Sequence, residues 1–174
     1  KNSVRVAKLA DEDAILNTRT PFFQKKDNIF KISDFLDNIV PEGKLDFFNS
    51  IVKYTFDVKG TRGTVVIISD FMLEPEVYRK GLNFLRYKNF DIKVIQILGS
   101  TELDPFTKIK RGNIIDVETR EKRNIVFSEA NRRKYKNSME EHNRQLQRFC
   151  RVNKIIYSLA KTHIEFGDFI LREL

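Results

Sequence analysis

The chain of 174 residues contains one cysteine and no tryptophan, and its longest unbroken apolar run, Val65–Ile68, has only four residues. The lone Cys150 excludes an internal disulfide and any metal site built from several cysteines, which indicates a reducing compartment. A membrane-spanning helix needs about 20 apolar residues, so no segment of this sequence is predicted to cross a membrane. No signal-peptide pattern opens the sequence either, and we therefore expect a cytoplasmic location.

Motifs of common enzyme classes are also missing from the sequence. The seven glycines are scattered and form neither a dinucleotide-binding pattern nor a P-loop, and no nucleophile elbow occurs. The two histidines, His142 and His163, are far apart, and neither belongs to an HExxH zinc motif. We therefore expect a chain that is not an enzyme and that holds no cofactor.

The composition that is present is that of a folded domain with an uneven charge distribution. Hydrophobic residues make up 41% of the chain, and 15 phenylalanines indicate a packed core. At about 100–200 residues per domain, the length predicts a single domain over residues 1–174. The net charge of +8 is concentrated in residues 106–154, which hold 14 basic and six acidic residues. Such a segment is typical of a solvated helix face, or of a surface that attracts nucleic acid, anionic lipid or an acidic protein.

The hydrophobic pattern alternates strands with helices. Helices are predicted at about 28–38, 46–56, from 74, at 129–152 and at 164–174, strands at 64–68, 91–98 and 155–158, and hairpins at 4–16 (before Pro21) and 113–127. The long helix carries one apolar stripe, made of Tyr135, Met139, His142, Leu146 and Phe149. The strand Val65–Ile68 is apolar on both faces, which is typical of a central parallel strand. The order predicts an α/β fold with a mostly parallel, Rossmann-like sheet and helices on both faces.

Asp70 is the strongest single candidate for a functional residue. It directly follows the most apolar strand, and ligands of parallel sheets bind at the carboxyl ends of strands. An equally good interpretation is that Asp70 caps the following turn. The other acidic residues expected near strand ends are Glu74, Glu102, Asp104, Asp116 and Glu118. Their oxygens suit a hard cation such as Mg²⁺, but their spacing contains no metal-binding signature.

Several short motifs together resemble one known family. They are VVIISDF at Val65–Phe71, QILGSTELDP at Gln96–Pro105, IDVETR at Ile115–Arg120, and the helix from Tyr135 to His142. Their order and spacing resemble the von Willebrand factor A-like (vWA) domain of the uncharacterised prokaryotic family called domain of unknown function 58. The resemblance extends over essentially the whole chain, and it implies a vWA-like version of the Rossmann-like fold.

The resemblance also implies that the sequence is the C-terminal portion of a vWA domain. The family's domain begins with a strand that ends in Asp-x-Ser-x-Ser and continues into a helix, and neither is found here. Since that strand is central in the family's sheet, its absence predicts two open sheet edges and an uncovered apolar groove. Alternatively, another chain supplies the missing strand, or the sheet closes differently.

The resemblance implies a degenerate metal-ion-dependent adhesion site. Its first loop is not in the sequence, and Lys44 stands at or beside the position of the metal-binding threonine, followed by Asp46. The third loop matches Ser69 and Asp70. Because a lysine does not ligate a cation, its ammonium is expected to take the place of the cation beside Asp70. We therefore expect no tight metal binding, and Asp70 is the ligand only if a site for Mg²⁺ exists.

The function implied by the resemblance is a non-catalytic protein-interaction or scaffold module. Similar proteins are partners of MoxR-type AAA+ ATPases, and they are often anchored by upstream transmembrane segments. The chain is then the cytoplasmic domain of a membrane-anchored protein. The expected partner surface is centred on Lys44, Asp46, Ser69 and Asp70.

Two alternatives from other functional classes remain open. The first is nucleic-acid binding by segment 106–154, through a basic patch made of Arg132, Arg133, Lys134, Lys136, Arg144, Arg148 and Arg151. Few aromatic residues alternate with these cations, so stacking on single strands is poorly supported. The second alternative is a carboxylate-metal hydrolase that uses Asp70, Glu102 and Asp116. It lacks a recognisable base, nucleophile or oxyanion donor.

Overall fold

The computed structural model describes residues 3–9, 19–24, 28–39, 45–56, 63–105, 112–115, 122–125 and 128–173. The chain forms two compact units, residues 1–61 and 62–174, and each is described by itself. The prediction of a single domain stays a prediction. Among the described residues, no helix combines the length and apolar content that crossing a membrane requires.

The first unit contains two antiparallel arms and two helices. Val4 and Phe23 exchange both backbone hydrogen bonds, at 2.8 and 2.7 Å, and Ala7 bridges Arg19. The antiparallel partner of the first arm is residues 19–23, which lie later in the chain than the predicted 14–16 and continue past Pro21, where we expected the hairpin to end. Pro21 fits because the backbone donors of this arm are Thr20 and Phe23. The predicted turn and residues 14–16 lie outside the described residues.

Both predicted helices of this unit are confirmed. They are α1, Ile29–Asp37, and α2, Phe47–Phe56. Helix α2 buries Phe47 and Ile51, whereas α1 buries none of its residues.

The second unit contains a parallel sheet, as predicted. Its strands are β1, Thr64–Ser69, β2, Asp91–Leu98, and β5, Ile156–Lys161. They are hydrogen-bonded in the order β1-β2-β5, with both pairs parallel. An antiparallel pair, β3 (Gly112–Ile115) and β4 (Lys122–Ile125), forms the predicted second hairpin. The second unit is therefore an α/β structure compatible with a Rossmann-like fold.

The described part of the second unit contains four helices, and local chemistry favours the starts of two of them. They are α3, Pro75–Tyr87, α4, Ser100–Leu103, α5, Glu129–Val152, and α6, Phe166–Glu173. Pro75 occupies the first turn of α3, where its missing N–H costs nothing. The Ser128 hydroxyl caps α5 by accepting from the Asn131 N–H at 3.1 Å. The short α4 was not predicted.

One face of the sheet carries the core of this unit. Helices α3 and α5 pack there, and the fully buried side chains include Tyr78, Leu82, Val94, Leu98, Leu146 and Cys150. The predicted apolar stripe on α5 is confirmed, since Met139 and Leu146 are buried and Tyr135, His142 and Phe149 are half-buried.

The position of β1 differs from the prediction of a central strand enclosed by helices on both sides. In the part of the chain that the structure describes, β1 is an edge strand paired only with β2. Successive side chains of a strand point to opposite faces. Ile67 is buried, while Val66 and Ile68 are 49% and 61% exposed. The resemblance to the vWA family stays a prediction.

Candidate functional site

The loop from Ser69 to Met72, here called the rim loop, lies at the carboxyl end of β1. Asp70 is exposed and Phe71 is fully buried. Phe71 has a φ of 54°, in the left-handed region that a bulky residue rarely adopts. Such a conformation costs about 1–3 kcal/mol and persists only where its surroundings impose it.

Two side chains of the rim loop itself hold this conformation. The Phe71 N–H donates to Ser69 Oγ at 3.1 Å, and the Met72 N–H donates to Asp70 Oδ1 at 3.0 Å. Asp70 therefore caps the turn, which confirms the structural interpretation of this residue. Its exposure at the end of the strand also makes it accessible to a partner.

Two neighbouring elements hold the rim loop by contacts to its backbone carbonyls. Gln96 of β2 donates from Nε2 to the Asp70 carbonyl at 2.9 Å. His142 of α5 lies with Nε2 2.7 Å from the Phe71 carbonyl. Because a carbonyl only accepts, the His142 tautomer that fits carries its proton on Nε2. The Phe71 ring meets Tyr78 edge-on, with 6.5 Å between ring centroids.

A hydrogen-bonded network of polar side chains, centred on the buried Gln96, adjoins the rim loop. Gln96 is fully buried; its Nε2 also donates to Asn143 Oδ1 at 3.0 Å, and its Oε1 accepts from the Tyr157 hydroxyl at 2.7 Å. This network joins β2, α5 and β5 to the rim loop. Sequence reasoning missed it, although an amide at the centre of the apolar strand 91–98 was the available signal.

The other half of the predicted partner surface has a different role. Asp46 caps α2, since Oδ1 accepts from the Asn49 N–H at 3.0 Å and Oδ2 from Asn49 Nδ2 at 2.8 Å. Lys44 lies outside the described residues. Asp46 belongs to unit 1–61, and the rim loop belongs to unit 62–174. Their meeting at one surface stays a prediction.

Of the remaining candidate carboxylates, Glu102 and Asp104 have structural partners, whereas Glu74 is exposed and its side chain makes no capping hydrogen bond to α3. Glu102 Oε2 accepts from the Gly99 N–H. Asp104 is paired with Arg132 Nη2 at 2.6 Å and Lys136 Nζ at 2.9 Å. Hydrogen bonds from Arg132 and then Lys136 hold the pKa of Asp104 well below its ordinary value. Asp116 and Glu118 lie outside the described residues.

No group of three possible metal ligands occurs among the residues that the structure describes. The expectation that the chain binds no Mg²⁺ tightly stays a prediction.

The predicted basic patch is partly neutralised by neighbouring acids. Arg132 and Lys136 both contact Asp104, and Arg144 contacts Glu141 at 3.0 Å. Arg133 lies 3.9 Å from Glu129. Within the described ranges, the patch members that make no ion pair are Lys134, Arg148 and Arg151. The patch is therefore a mixed surface and not a continuous run of free cations.

Cys150 behaves as a structural residue, as predicted. It is a fully buried free thiol, and burial raises its pKa to about 12. A thiol held protonated in this way is a poor nucleophile.

Comparisons with known proteins give no further assignment. The chain matches no protein-family model, no curated protein and no solved structure. Any function must therefore be argued from the site itself.

Proposed function

We propose that this chain is a non-catalytic protein-interaction module whose partner binds at the rim loop, Ser69–Met72. The observation that carries the proposal is the strained Phe71, with φ 54°, next to the exposed Asp70. Residues kept in strained conformations cluster at functional sites. This strain is maintained by a hydrogen bond to Ser69 within the rim loop and by contacts from two neighbouring elements, Gln96 of β2 and His142 of α5.

A loop of this kind suits recognition because its shape is set before the partner arrives. Binding then costs little ordering entropy. Apolar surface adjoins the acid: Met72 is 42% exposed, and Ile68 lies on the open face of β1. An interface that combines an apolar contact with one oriented charge gains both affinity and specificity.

A binding role agrees with how the candidate catalytic groups are used. Glu102 and Asp104 stabilise local structure, and His142 holds a backbone carbonyl. We therefore prefer a binding module to the carboxylate-metal hydrolase, whose third proposed residue was Asp116. A MoxR-type AAA+ ATPase remains the partner class that the vWA resemblance suggests.

The experiment compares three forms of the chain as immobilised baits in a lysate of the source cells. These are the wild type, Asp70→Asn at the rim, and Asp91→Asn as control. Asp91 is also exposed, but it begins β2 at the opposite end of the sheet. We expect a partner that the wild type and Asp91→Asn capture equally and that Asp70→Asn loses by about tenfold. Equal capture by all three forms would contradict the proposal.

The proposal includes the absence of tight metal binding. Isothermal titration with MgCl₂ and MnCl₂ is expected to show no sub-millimolar affinity. Sub-millimolar binding that Asp70→Ala abolishes would show a functional adhesion site in its place.

Nucleic-acid binding remains the second candidate, favoured by the basic balance of segment 106–154. The ion pairs of Arg132, Lys136 and Arg144 weigh against it. Of the unpaired cations, Lys134 and Arg148 are separated by about 21 Å along α5, so few phosphates can be contacted together. Gel retardation of DNA at increasing salt, with an Arg132/Arg133/Lys134 triple-alanine variant as control, measures this activity.

A further inference from the structure

Strand β1 forms one border of the parallel sheet, and its outer side is open. Within the described ranges it is hydrogen-bonded to β2 alone. Its six residues, Thr64–Ser69, follow β2 in unbroken parallel register from end to end. An edge strand of this kind presents a row of backbone donors and acceptors that another strand can use.

The register shows which backbone groups form this row. The Asp91 N–H donates to the Gly63 carbonyl at 3.0 Å, so the odd-numbered residues of β1 turn their backbone groups toward β2. Since successive residues of a strand turn these groups to opposite sides, the N–H and C=O groups of Thr64, Val66 and Ile68 point outward. These outward groups are here called the β1 edge.

The β1 edge lacks the features by which proteins normally protect an edge strand. Lysines, prolines, bulges or a short length usually prevent such strands from pairing with other chains. Strand β1 contains no charged residue and no proline, and its register with β2 contains no bulge. The other edge strand, β5, differs because it ends in Lys161 and contacts α6. The β1 edge is therefore the side of the sheet that favours the addition of a strand.

The side chains beside the β1 edge are apolar and partly uncovered. Val66 and Ile68 are 49% and 61% exposed on the sheet face that α3 and α5 do not cover. Both residues are β-branched, and such side chains pack well against one another across neighbouring strands. A strand of the same composition would therefore match this edge in its side chains as well as in its backbone groups.

We propose that the β1 edge binds the β1 edge of a second copy, so that two chains form an antiparallel dimer with two-fold symmetry. The strand is complementary to itself. With the two-fold axis beside Val66, Thr64 of one copy pairs with Ile68 of the other, and Val66 pairs with Val66. All the outward backbone groups of both strands are then used, in about six hydrogen bonds. Because the contact is the same on both copies, it closes at two chains.

The size of this contact sets its expected strength. One short strand from each copy buries less than the roughly 1,200–2,000 Å² of a standard interface. Two copies that each carry a net charge of +8 also repel each other, although salt at about 150 mM screens much of this repulsion. We therefore expect a reversible dimer with a dissociation constant of about 1–100 μM.

The test compares two glutamate substitutions beside the same lysine. Val66 of β1 and Ile156 of β5 are both register partners of Lys93 on β2. Both are exposed on the same sheet face, at 49% and 59%. Val66→Glu and Ile156→Glu therefore each place a carboxylate next to Lys93 within one chain. Only Val66→Glu also places two like charges directly opposite each other in the dimer, which destabilises the pairing.

Sedimentation velocity of the full chain, from about 5 to 200 μM, measures the association. We expect the wild type to approach twice the 20.5 kDa of one chain as its concentration rises. Val66→Glu should weaken the dimer by about tenfold or more, and Ile156→Glu by no more than about twofold. Thermal unfolding followed by circular dichroism checks that each variant is folded.

Cross-linking tests the geometry of the dimer independently. Cys150 is buried and burial raises its pKa, so a cysteine introduced at the surface is the reactive thiol. A short bismaleimide should link Val66→Cys chains, because the two substituted positions lie about 5.5 Å apart in the proposed pairing. It should not link Ile156→Cys chains, whose substituted positions are separated by five strand spacings, or about 24 Å.

Three results would overturn the inference. They are a wild type that stays monomeric up to about 200 μM, equal weakening of the dimer by both glutamate substitutions, and cross-linking of Ile156→Cys as efficient as that of Val66→Cys. The first result would leave the β1 edge to a strand of another protein. The last would indicate that the two copies pack through the open faces of their sheets. A dimer that Val66→Glu disrupts and Ile156→Glu retains supports the proposed pairing.

Discussion

Replacing Gln96 by Leu tests the support of the rim loop most directly. The substitution keeps a side chain of similar size in the fully buried site. It removes three hydrogen bonds: those to the Asp70 carbonyl, to Asn143 and from Tyr157. At about 0.5–1.5 kcal/mol for each bond, the free energy of unfolding should fall by about 1.5–4.5 kcal/mol. That is a large part of the 5–15 kcal/mol typical of a domain.

Urea unfolding followed by circular dichroism measures this loss. With a slope of about 2 kcal/mol per molar urea, the midpoint of the transition should fall by roughly 1–2 M. Tyr157→Phe removes one of the three bonds and should cost only about 0.5–1.5 kcal/mol. The double variant should be less destabilised than the sum of the single changes, because both remove the same bond.

Two results would refute this reasoning. A loss smaller than about 0.5 kcal/mol for Gln96→Leu would mean that this hydrogen-bonded network contributes no net stability. Strict additivity with Tyr157→Phe would mean that these two side chains do not interact. Hydrogen exchange at the amides of Phe71 and Met72 provides a local measurement, since it should accelerate in Gln96→Leu if the loop loses its support.

The other predictions concern local strain and ionisation. Lys154 has a φ of 56° at the end of α5, so Lys154→Gly should stabilise the chain by about 0.5–1 kcal/mol in urea unfolding, and destabilisation would contradict the strain argument. Because the pKa of Asp104 is lowered in the folded chain, its ionised carboxylate stabilises the fold above about pH 4, and this stabilisation is lost as the pH falls. Asp104→Asn should therefore flatten the acid side of a plot of unfolding free energy against pH. An unchanged plot would show that the pairs with Arg132 and Lys136 contribute nothing. Burial raises the pKa of Cys150 to about 12. The contribution of the protonated thiol to the unfolding free energy should therefore be fully present below about pH 9 and should decline as the pH rises toward 12. Rapid reaction of the folded chain with a thiol reagent at about pH 8 would disprove this burial.

The elements that sequence periodicity could predict are those stabilised by a repeating local pattern. The α5 stripe of Tyr135, Met139, His142, Leu146 and Phe149 was found because burial on a helix repeats every three or four residues. The position of Asp70 at a strand end followed in the same way from the apolar run before it. Strand ends carry a weaker local pattern: the sequence predicts β5 at 155–158, whereas the strand runs from Ile156 to Lys161.

The features that were missed depend on contacts between residues far apart in the sequence. The Gln96–Tyr157 bond joins residues 61 positions apart, and the bond from His142 to Phe71 spans 71 positions. No local pattern encodes either contact. The exposure of Val66 was missed for a related reason, because an apolar run fits an uncovered edge strand as well as a central one.

The arrangement separates residues that shape the rim loop from the residue that is available to a partner. Gln96 and His142 hydrogen-bond to backbone carbonyls of the rim loop. Replacing either of them should lower both the unfolding free energy and the affinity for the partner. The exposed Asp70 carboxylate accepts a hydrogen bond from the Met72 N–H and a long one, at 3.4 Å, from the Ser69 hydroxyl. Asp70→Asn should therefore reduce partner capture while changing the unfolding free energy much less than Gln96→Leu does. If Asp70→Asn instead lowers the unfolding free energy as much as Gln96→Leu does, Asp70 acts mainly as a turn cap. That result would contradict the proposal that the rim loop is an interaction surface.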